Sequence, residues 1–203
     1  MNQKDIIRAF AQGAVVGFPD GSPDGNCVCV AWIKCAISRY GLDNVFTSNP
    51  VDGGFMIQLK DGSDSFSIAD EEIAYATGKN GFRLNKEGDD PALYKLIYDY
   101  SCLCFAVMAK KADVLQDEVN DFQEAVTFLN EGLNTFSGDR YLGLRKFSKA
   151  ISLKSAFSNS GCVGRSAKHA FFTSFNSRDL YGNVDSFSKL KAFALRWSFK
   201  TLV

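Results

Sequence analysis

The sequence predicts an α+β fold in which helices come first and strands come last. In residues 1–135, several segments carry apolar residues at helical spacing. Residues 136–203 are rich in Ser, Phe and Gly, with short apolar runs bounded by turn residues, a pattern typical of strands. A chain of 203 residues is long enough for a substantial core, and we expect a single domain, 1–203.

Two helices are expected near the N-terminus. The first is short, carries apolar residues on one face and ends near Gly13. A loop with two prolines and several Asp-Gly pairs then spans 17–25. The second helix is expected over about 27–40, with Asp24 or Asn26 as its cap.

The sequence pattern predicts a hairpin and three more helices in the middle of the chain and three strands near its end. The strongest helix signal is Asp90 as a cap followed by Pro91 at the first helical position. The hairpin turns at Asp61-Gly62. The expected elements are strands at 55–59 and 65–68, helices at 70–77, from 91 onward and at 116–129, and strands at 154–157, 169–175 and 181–187.

Composition excludes several classes of function. The chain has 23 basic and 23 acidic side chains, so its balanced charge favours neither nucleic acid nor an anionic membrane as a partner. No apolar run approaches the roughly 20 residues of a membrane span, and the N-terminus lacks the apolar stretch of a secretory signal. Six cysteines are too few for a disulfide scaffold of this size. We expect reduced thiols and a cytoplasmic protein, or export by a leaderless route.

Cys27 is the best candidate nucleophile among the six cysteines. It lies at the predicted start of a helix, where unpaired backbone N–H groups and a partial positive charge favour the thiolate. The same N–H groups could accept the negative oxygen of a tetrahedral intermediate. The alternative interpretation is that Cys27 packs its helix against the core, as buried cysteines commonly do.

His169, the one histidine in the chain, is the candidate base. It lies 142 positions after Cys27 and opens a predicted hydrophobic strand, where its side chain can face a cleft. A third group should orient the imidazole, and Asp179, Asn183 and Asp185 are the candidates. A tight hairpin turning near residues 176–177 would place His169 opposite about residue 184 and bring Asn183 or Asp185 near the ring, and we favour Asn183. A longer loop through 179–182 would change the register and leave the choice open.

Metal and nucleotide sites are not expected. Two cysteine pairs, Cys27 with Cys29 and Cys102 with Cys104, are each separated by one intervening residue. In the predicted helices, side chains at this i, i+2 spacing diverge. The Gly-rich segments lack the Lys-Ser/Thr ending of a phosphate-binding loop.

The constellation resembles that of the papain-like cysteine peptidases, and within them the calpain-like branch. Gly25-Asn26-Cys27 is similar to the motif at the head of their central helix, and His169-Ala170-Phe171-Phe172 is similar to their late His motif. Asn183 is the nearest match to their third residue. The resemblance implies a helical N-terminal lobe and an antiparallel β-sheet C-terminal lobe. It also implies a cysteine-dependent hydrolase or acyl transferase that acts on a peptide or protein amide and needs no cofactor.

Three departures from that family keep a second hypothesis open. The Gln expected a few residues before the nucleophile is missing: the candidate in range, Gln12, lies fifteen residues ahead, with Asp20 and Ser22 nearer. Val28 replaces the usual aromatic residue after the cysteine, and Asn183 lacks the Pro-Trp or Ser-Trp that usually follows. These departures favour a non-catalytic module that binds a peptide or protein in an aromatic cleft.

Overall fold

The computed structural model describes residues 2–17, 25–84, 89–116, 118–166, 169–175, 177–180, 183–186 and 188–203. It is an α+β structure with antiparallel sheets, as the sequence predicts. Its helices are α1 (Gln3–Ala11), α2 (Cys27–Tyr40), α3 (Asp70–Lys79), α4 (Pro91–Leu115), α5 (Phe122–Glu131), α6 (Gly138–Tyr141), α7 (Leu153–Phe157) and α8 (Lys189–Ala194). Its strands are β1 (Phe46–Val51), β2 (Gly54–Leu59), β3 (Ser65–Ala69), β4 (Ser148–Ile151), β5 (Cys162–Arg165), β6 (Ala170–Ser174), β7 (Ser177–Leu180), β8 (Asn183–Ser186) and β9 (Ser198–Leu202).

The strands form two antiparallel sheets. The smaller sheet is the meander β1-β2-β3, which contains the predicted hairpin. The larger sheet has the order β4-β9-β5-β6-β7-β8. The last strand of the chain, β9, therefore lies between β4 and β5, and the consecutive strands β5 to β8 form the other half of the sheet. Strand β6 is thus an interior strand with neighbours on both sides.

Helix α2 lies at the centre of the molecule. All eleven residues from 28 to 38 are buried, because the helix is apolar on nearly every side. It packs against β5, β6 and β9 on one side and against α4 and α6 on another, and α1 lies beside it. The indole N–H of Trp32 donates to the carbonyl of Thr135 at 2.7 Å. The strand β6 and the helix α2 therefore share one core.

The opposite face of the larger sheet has its own apolar cluster, under α7 and α8. Phe171 packs edge-on against Trp197, with ring centroids 5.0 Å apart. Gly164 is paired with Phe171 across the strands, and a Cβ at this glycine would lie 2.3 Å from the ring. Because Phe171 faces this cluster and Phe172 faces α2, successive residues of β6 serve the two faces of the sheet.

Helix α4 is long and apolar enough, by length and hydropathy alone, to cross a membrane. The expectation that no apolar run has this length is therefore too strong. In the structure, 61% of the relevant window is buried within the protein. Asp90 caps the helix as predicted, and its side chain accepts a hydrogen bond from the Leu93 N–H at 3.0 Å.

Several predicted elements are wrong in position or type. The helix expected at 116–129 is α5, at 122–131, because α4 continues to Leu115 and ends at Gln116 in the left-handed conformation (φ 49°). The strand expected at 154–157 is helix α7, whose cap Ser152 accepts from the Ser155 N–H at 3.2 Å. The strands β1, β4, β5, β7 and β9 were not predicted; each is short and lacks a clear alternation of apolar residues.

Close packing of α6 on α2 gives a stability test. A Cβ at Gly138 would lie 2.4 Å from Cδ1 of Trp32, whereas a Cβ at Gly78, in exposed α3, meets no atom within 4 Å. We expect Gly138→Ala to lower the free energy of unfolding by about 1–3 kcal/mol through overpacking. We expect Gly78→Ala to leave it unchanged or raise it by up to about 1 kcal/mol. Urea unfolding followed by tryptophan fluorescence measures both, and equal effects would contradict the packing described.

Candidate active site

One face of α2 forms a wall of a small cavity. Cys27, Val30, Ala31 and Lys34 recur at the i, i+3, i+4, i+7 spacing of a single helix face, and all four line the cavity. The opposite wall comes from the start of β6 and from β7, and it includes His169 and Asp179. The cavity volume is about 20 Å³, which is room for about one water molecule. The fold thus brings three of the sequence-predicted site residues to one cavity.

Cys27 is the first residue of α2 and is partly exposed, whereas the other five cysteines are buried. The backbone N–H groups of Ala170, of Val28 and of Cys27 itself lie near its sulfur and act to lower its pKa. Ala170 directly follows His169 in the chain. The sulfur is therefore held against the same short segment that carries the imidazole.

His169 precedes the first residue of β6 and is half-buried. Its carbonyl oxygen accepts hydrogen bonds from the N–H of Ser166 at 2.9 Å and from the Ser166 hydroxyl at 3.1 Å. These bonds close the connection between β5 and β6 just beyond the last strand pair, Arg165 with Ala170. The backbone of His169 is fixed by this connection.

Asp179 lies on β7, directly beside β6, where it pairs with Phe172. Its side chain is buried and forms an ion pair with the ammonium of Lys34, whose side chain is 2% exposed. The Lys34 ammonium also lies 5.3 Å from the centre of the Phe10 ring. Among the third-group candidates whose side chains the structure describes, Asp179 and Asp185, it is Asp179 that lines the cavity with Cys27 and His169.

Asn183 and Asp185 lie on β8, which β7 separates from β6. Asn183 pairs with Leu180, and Asp185 pairs with Arg178. The Arg178 guanidinium binds both carboxylate oxygens of Asp185, at 2.9 and 2.5 Å, and this bond lowers the pKa of Asp185. The predicted register, with His169 opposite residue 184, is wrong because β7, which was not predicted, pairs with β6 and separates it from β8.

Lys34 is the site residue that the sequence reasoning missed. It lies seven residues after Cys27 in an otherwise apolar run, and so on the same helix face. A lysine in such a run needs a buried partner, because an unpaired buried ammonium is very unfavourable. That spacing is a signal by which the residue could have been found.

The imidazole of His169 is neutral at pH 7. Burial and the positive charge of Arg178 lower the pKa of His169 to about 4, and the carboxylate of Asp179 opposes this shift. The charge of Asp179 is itself balanced by Lys34, so its effect on the imidazole is reduced. A neutral imidazole can accept a proton, which is the state a general base requires.

The thiol of Cys27 is also neutral at pH 7. Burial raises the pKa of Cys27, and the three backbone N–H groups that face the sulfur oppose this shift without cancelling it. Burial therefore opposes the thiolate that the helix terminus favours. The cavity is thus lined by a neutral thiol and a neutral imidazole rather than by a thiolate and an imidazolium.

The donors at the head of α2 are backbone groups rather than side chains. Asn26 occupies the cap position but makes no side-chain cap bond, and its amide instead donates to the carbonyl of Asn80. The other cap candidate, Asp24, lies outside the described residues, as do Asp20 and Ser22. Gln12 does not line the cavity: its side chain accepts from the Tyr94 hydroxyl and donates to Asp89 at 2.8 Å. The donors near the sulfur are thus backbone N–H groups.

No family model, no curated protein and no solved structure matches this chain.

The low pKa of His169 predicts a specific pH dependence of stability. The pKa of the imidazole is near 6.5 in the unfolded chain and near 4 in the folded protein. The contribution of His169 to the free energy of unfolding is therefore fully present above pH 6.5 and is lost as the pH falls toward 4. We expect the free energy of unfolding to fall by up to about 1 kcal/mol per pH unit between pH 6.5 and 5. Urea unfolding of wild type and His169→Asn across this range isolates the effect, since the chain has one histidine. Parallel pH profiles for the two proteins would contradict the assignment.

The buried ion pair predicts strong coupling between Lys34 and Asp179. Lys34→Met leaves a buried carboxylate without its cation, and we expect it to destabilise the protein by about 3–5 kcal/mol. The double variant Lys34→Met, Asp179→Leu should recover much of that loss, because it removes both charges. Thermal unfolding of Lys34→Met, of Asp179→Leu and of the double variant gives the coupling free energy between the two side chains. Additive effects would show that the two side chains do not depend on each other.

Proposed function

We propose that the protein is a cysteine-dependent hydrolase or acyl transferase acting on a peptide or protein amide. The observation that carries the proposal is the meeting of Cys27, His169 and Asp179 at one cavity, with backbone N–H groups facing the sulfur. A nucleophile, a neutral base and a carboxylate are the groups that acyl transfer through a covalent intermediate requires. In this proposal the nucleophile, the base, the carboxylate and the backbone N–H donors all come from this chain.

In the proposed first step, the Cys27 sulfur attacks the carbonyl carbon of the substrate. His169 takes the thiol proton as the sulfur–carbon bond forms, so charge develops in the transition state rather than in the resting site. The carbonyl oxygen becomes negative and is stabilised by N–H groups at the head of α2. The imidazolium then protonates the leaving amine, the carbon–nitrogen bond breaks, and a thioester at Cys27 remains.

In the second step, an acceptor attacks the thioester, and His169 removes the acceptor's proton. With water, the products are a carboxylic acid and the free thiol, whereas an amine acceptor gives a new amide. When the substrate is a glutamine side chain, the leaving group is ammonia and the overall reaction with water is deamidation. The acceptor separates hydrolysis from amide transfer, and the substrate amide with its leaving group separates deamidation from peptide hydrolysis.

Asp179 is the proposed orienting group for His169. It faces the cavity from the strand next to β6, and a carboxylate there stabilises the imidazolium formed during the reaction. Lys34 balances its charge, so the pair is a fixed dipole with no net charge. In this respect the pair is similar to a neutral asparagine side chain, the residue that the papain-like family uses.

The fold also supports the proposal. A central helix begins at the candidate nucleophile and packs between other helices and an antiparallel sheet whose interior strand follows the candidate base. This arrangement is similar to that of the papain-like peptidases, whose nucleophile and base come from the two halves of the fold. We propose that the chain is a divergent member of that group.

A non-catalytic binding module is the second candidate, and two observations favour it. The pKa of Cys27 is raised above that of an ordinary thiol, and Gln12 is bonded elsewhere rather than facing the cavity. In that case Cys27 would be a packing residue. The two candidates differ in whether His169 controls the chemistry of the thiol.

Acylation by a small activated ester separates the two candidates. With p-nitrophenyl acetate at pH 7.5, we expect a burst of p-nitrophenol and one acetyl group on Cys27, found by intact mass and peptide mapping. Cys27→Ser should abolish the burst, and His169→Gln should slow it by about 100-fold, the usual contribution of a general base.

Cys29→Ser is the matched control, because Cys29 is the next cysteine of α2 and is fully buried. It should leave the burst unchanged. If Cys27 is acylated equally fast with and without His169, the thiol acts alone and the binding module becomes the better description.

A further inference from the structure

An apolar groove lies between α1 and the β6–β8 part of the larger sheet. Its volume is about 340 Å³, in the range of pockets that hold a ligand group. Ile7 and Ala11 of α1 form one wall, and Phe172, Phe175 and Val184 form the other. The groove is much larger than the catalytic cavity, which has a volume of about 20 Å³.

The groove and the catalytic cavity share a wall. Phe172 and Asp179 line both of them, and Phe10 of the groove lies 5.3 Å from the Lys34 ammonium of the cavity. A ligand in the groove would therefore lie directly beside the candidate catalytic residues. The groove is placed to hold a part of the substrate other than the bond that reacts.

Phe175 shows that the mouth of the groove is a specialised feature. It lies in the two-residue turn between β6 and β7, has φ 53°, and is 51% exposed. Glycine, asparagine or aspartate suits this conformation, whereas a bulky side chain is unfavourable in it. The N–H of Phe175 donates to the carbonyl of Asn159 at 2.7 Å, which fixes the backbone. A strained backbone that exposes an aromatic ring is typical of a functional position.

The charge at the groove is positive. Lys4 and Arg8 of α1 both line the groove. Arg8 is ion-paired with Asp89, so the positive charge of the groove comes from Lys4. Asp179 is a carboxylate of the groove wall, but Lys34 already balances it. An acidic ligand with an apolar group complements these walls.

From these observations we infer that the groove binds an acidic peptide segment of the protein substrate, with a large apolar side chain of that segment inserted beside Phe172 and Phe175. The inference rests on the proposed function for the identity of the substrate. It adds the class of sequence that the site selects, and it assigns Phe175 and Lys4 as specificity-determining residues.

The test measures peptide binding to full-length Cys27→Ser, so that no turnover occurs. The probe is a fluorescein-labelled hexapeptide with a central Leu-Phe pair and two glutamates on each side, and fluorescence polarisation gives its Kd. One comparison peptide replaces the glutamates with lysines, and the other replaces Leu-Phe with Gly-Gly. Both comparison peptides should bind at least about tenfold more weakly, because each lacks one of the two recognised features.

Phe175→Asn and Phe193→Ser are matched variants. Phe193, on α8, is an exposed phenylalanine that does not line the groove. Phe175→Asn should weaken binding of the acidic peptide by about tenfold or more while the melting temperature stays equal or rises, because asparagine suits the turn. Phe193→Ser should leave binding unchanged. Lys4→Glu should weaken binding of the acidic peptide and strengthen binding of the lysine peptide.

Any of three results would overturn the inference. The three peptides could bind equally well, none could bind up to millimolar concentration, or the acidic peptide could bind Phe175→Asn as tightly as the parent protein. A wild-type dimer that Phe175→Asn dissociates in sedimentation would assign the groove to a second copy of the chain and also overturn it. Failure of the proposed function is distinguishable: acylation lost with peptide binding intact contradicts the chemistry, whereas binding lost with acylation intact contradicts the groove.

Discussion

The packing of helix α2 against strand β6 is the constraint on which the rest of the site depends. The helix is buried from residue 28 to residue 38, so its position is set by contacts on nearly all sides. Its first residue, Cys27, is thereby held against Ala170, the residue that follows His169. The ion pair between Lys34 and Asp179 adds a second connection between the same helix and the sheet, two helical turns further along. Two residues separated by 142 positions in sequence meet because one helix and one strand share a core.

The same burial sets the chemistry. It raises the pKa of Cys27 and lowers the pKa of His169, so both groups are neutral near pH 7. In the proposed reaction, the thiol stays unreactive until a substrate carbonyl is in place, and proton transfer to His169 accompanies the attack. Arg178 and Asp179 act on the imidazole with opposite signs, and Lys34 reduces the influence of Asp179. Reactivity therefore depends on the bound substrate more than on the resting charge of the sulfur.

Local signals predicted much of the helical part and two of the site residues. The bounds of α2 follow from its apolar run and Gly41, and Asp90 with Pro91 marks the start of α4. Cys27 and His169 were found because one begins a helix and the other is the single histidine. The third group was not determined by sequence, because the register of the strand that follows β6 depends on where the chain turns after β6, and a shift of one residue moves every side chain to the other face. Short strands such as β9 form through pairing with distant neighbours, which no local pattern reveals.

The protonation state of His169 decides whether the resting site holds a neutral imidazole and a neutral thiol. The chain has one histidine, so its imidazole gives an unambiguous NMR signal. The measurement is a pH titration of the ¹³C-labelled imidazole in wild type and in Cys27→Ser. The account predicts a pKa near 4 in wild type and a neutral imidazole at pH 7. An imidazole that is still protonated at pH 7 in wild type and becomes neutral in Cys27→Ser would reveal a thiolate–imidazolium pair and contradict the account.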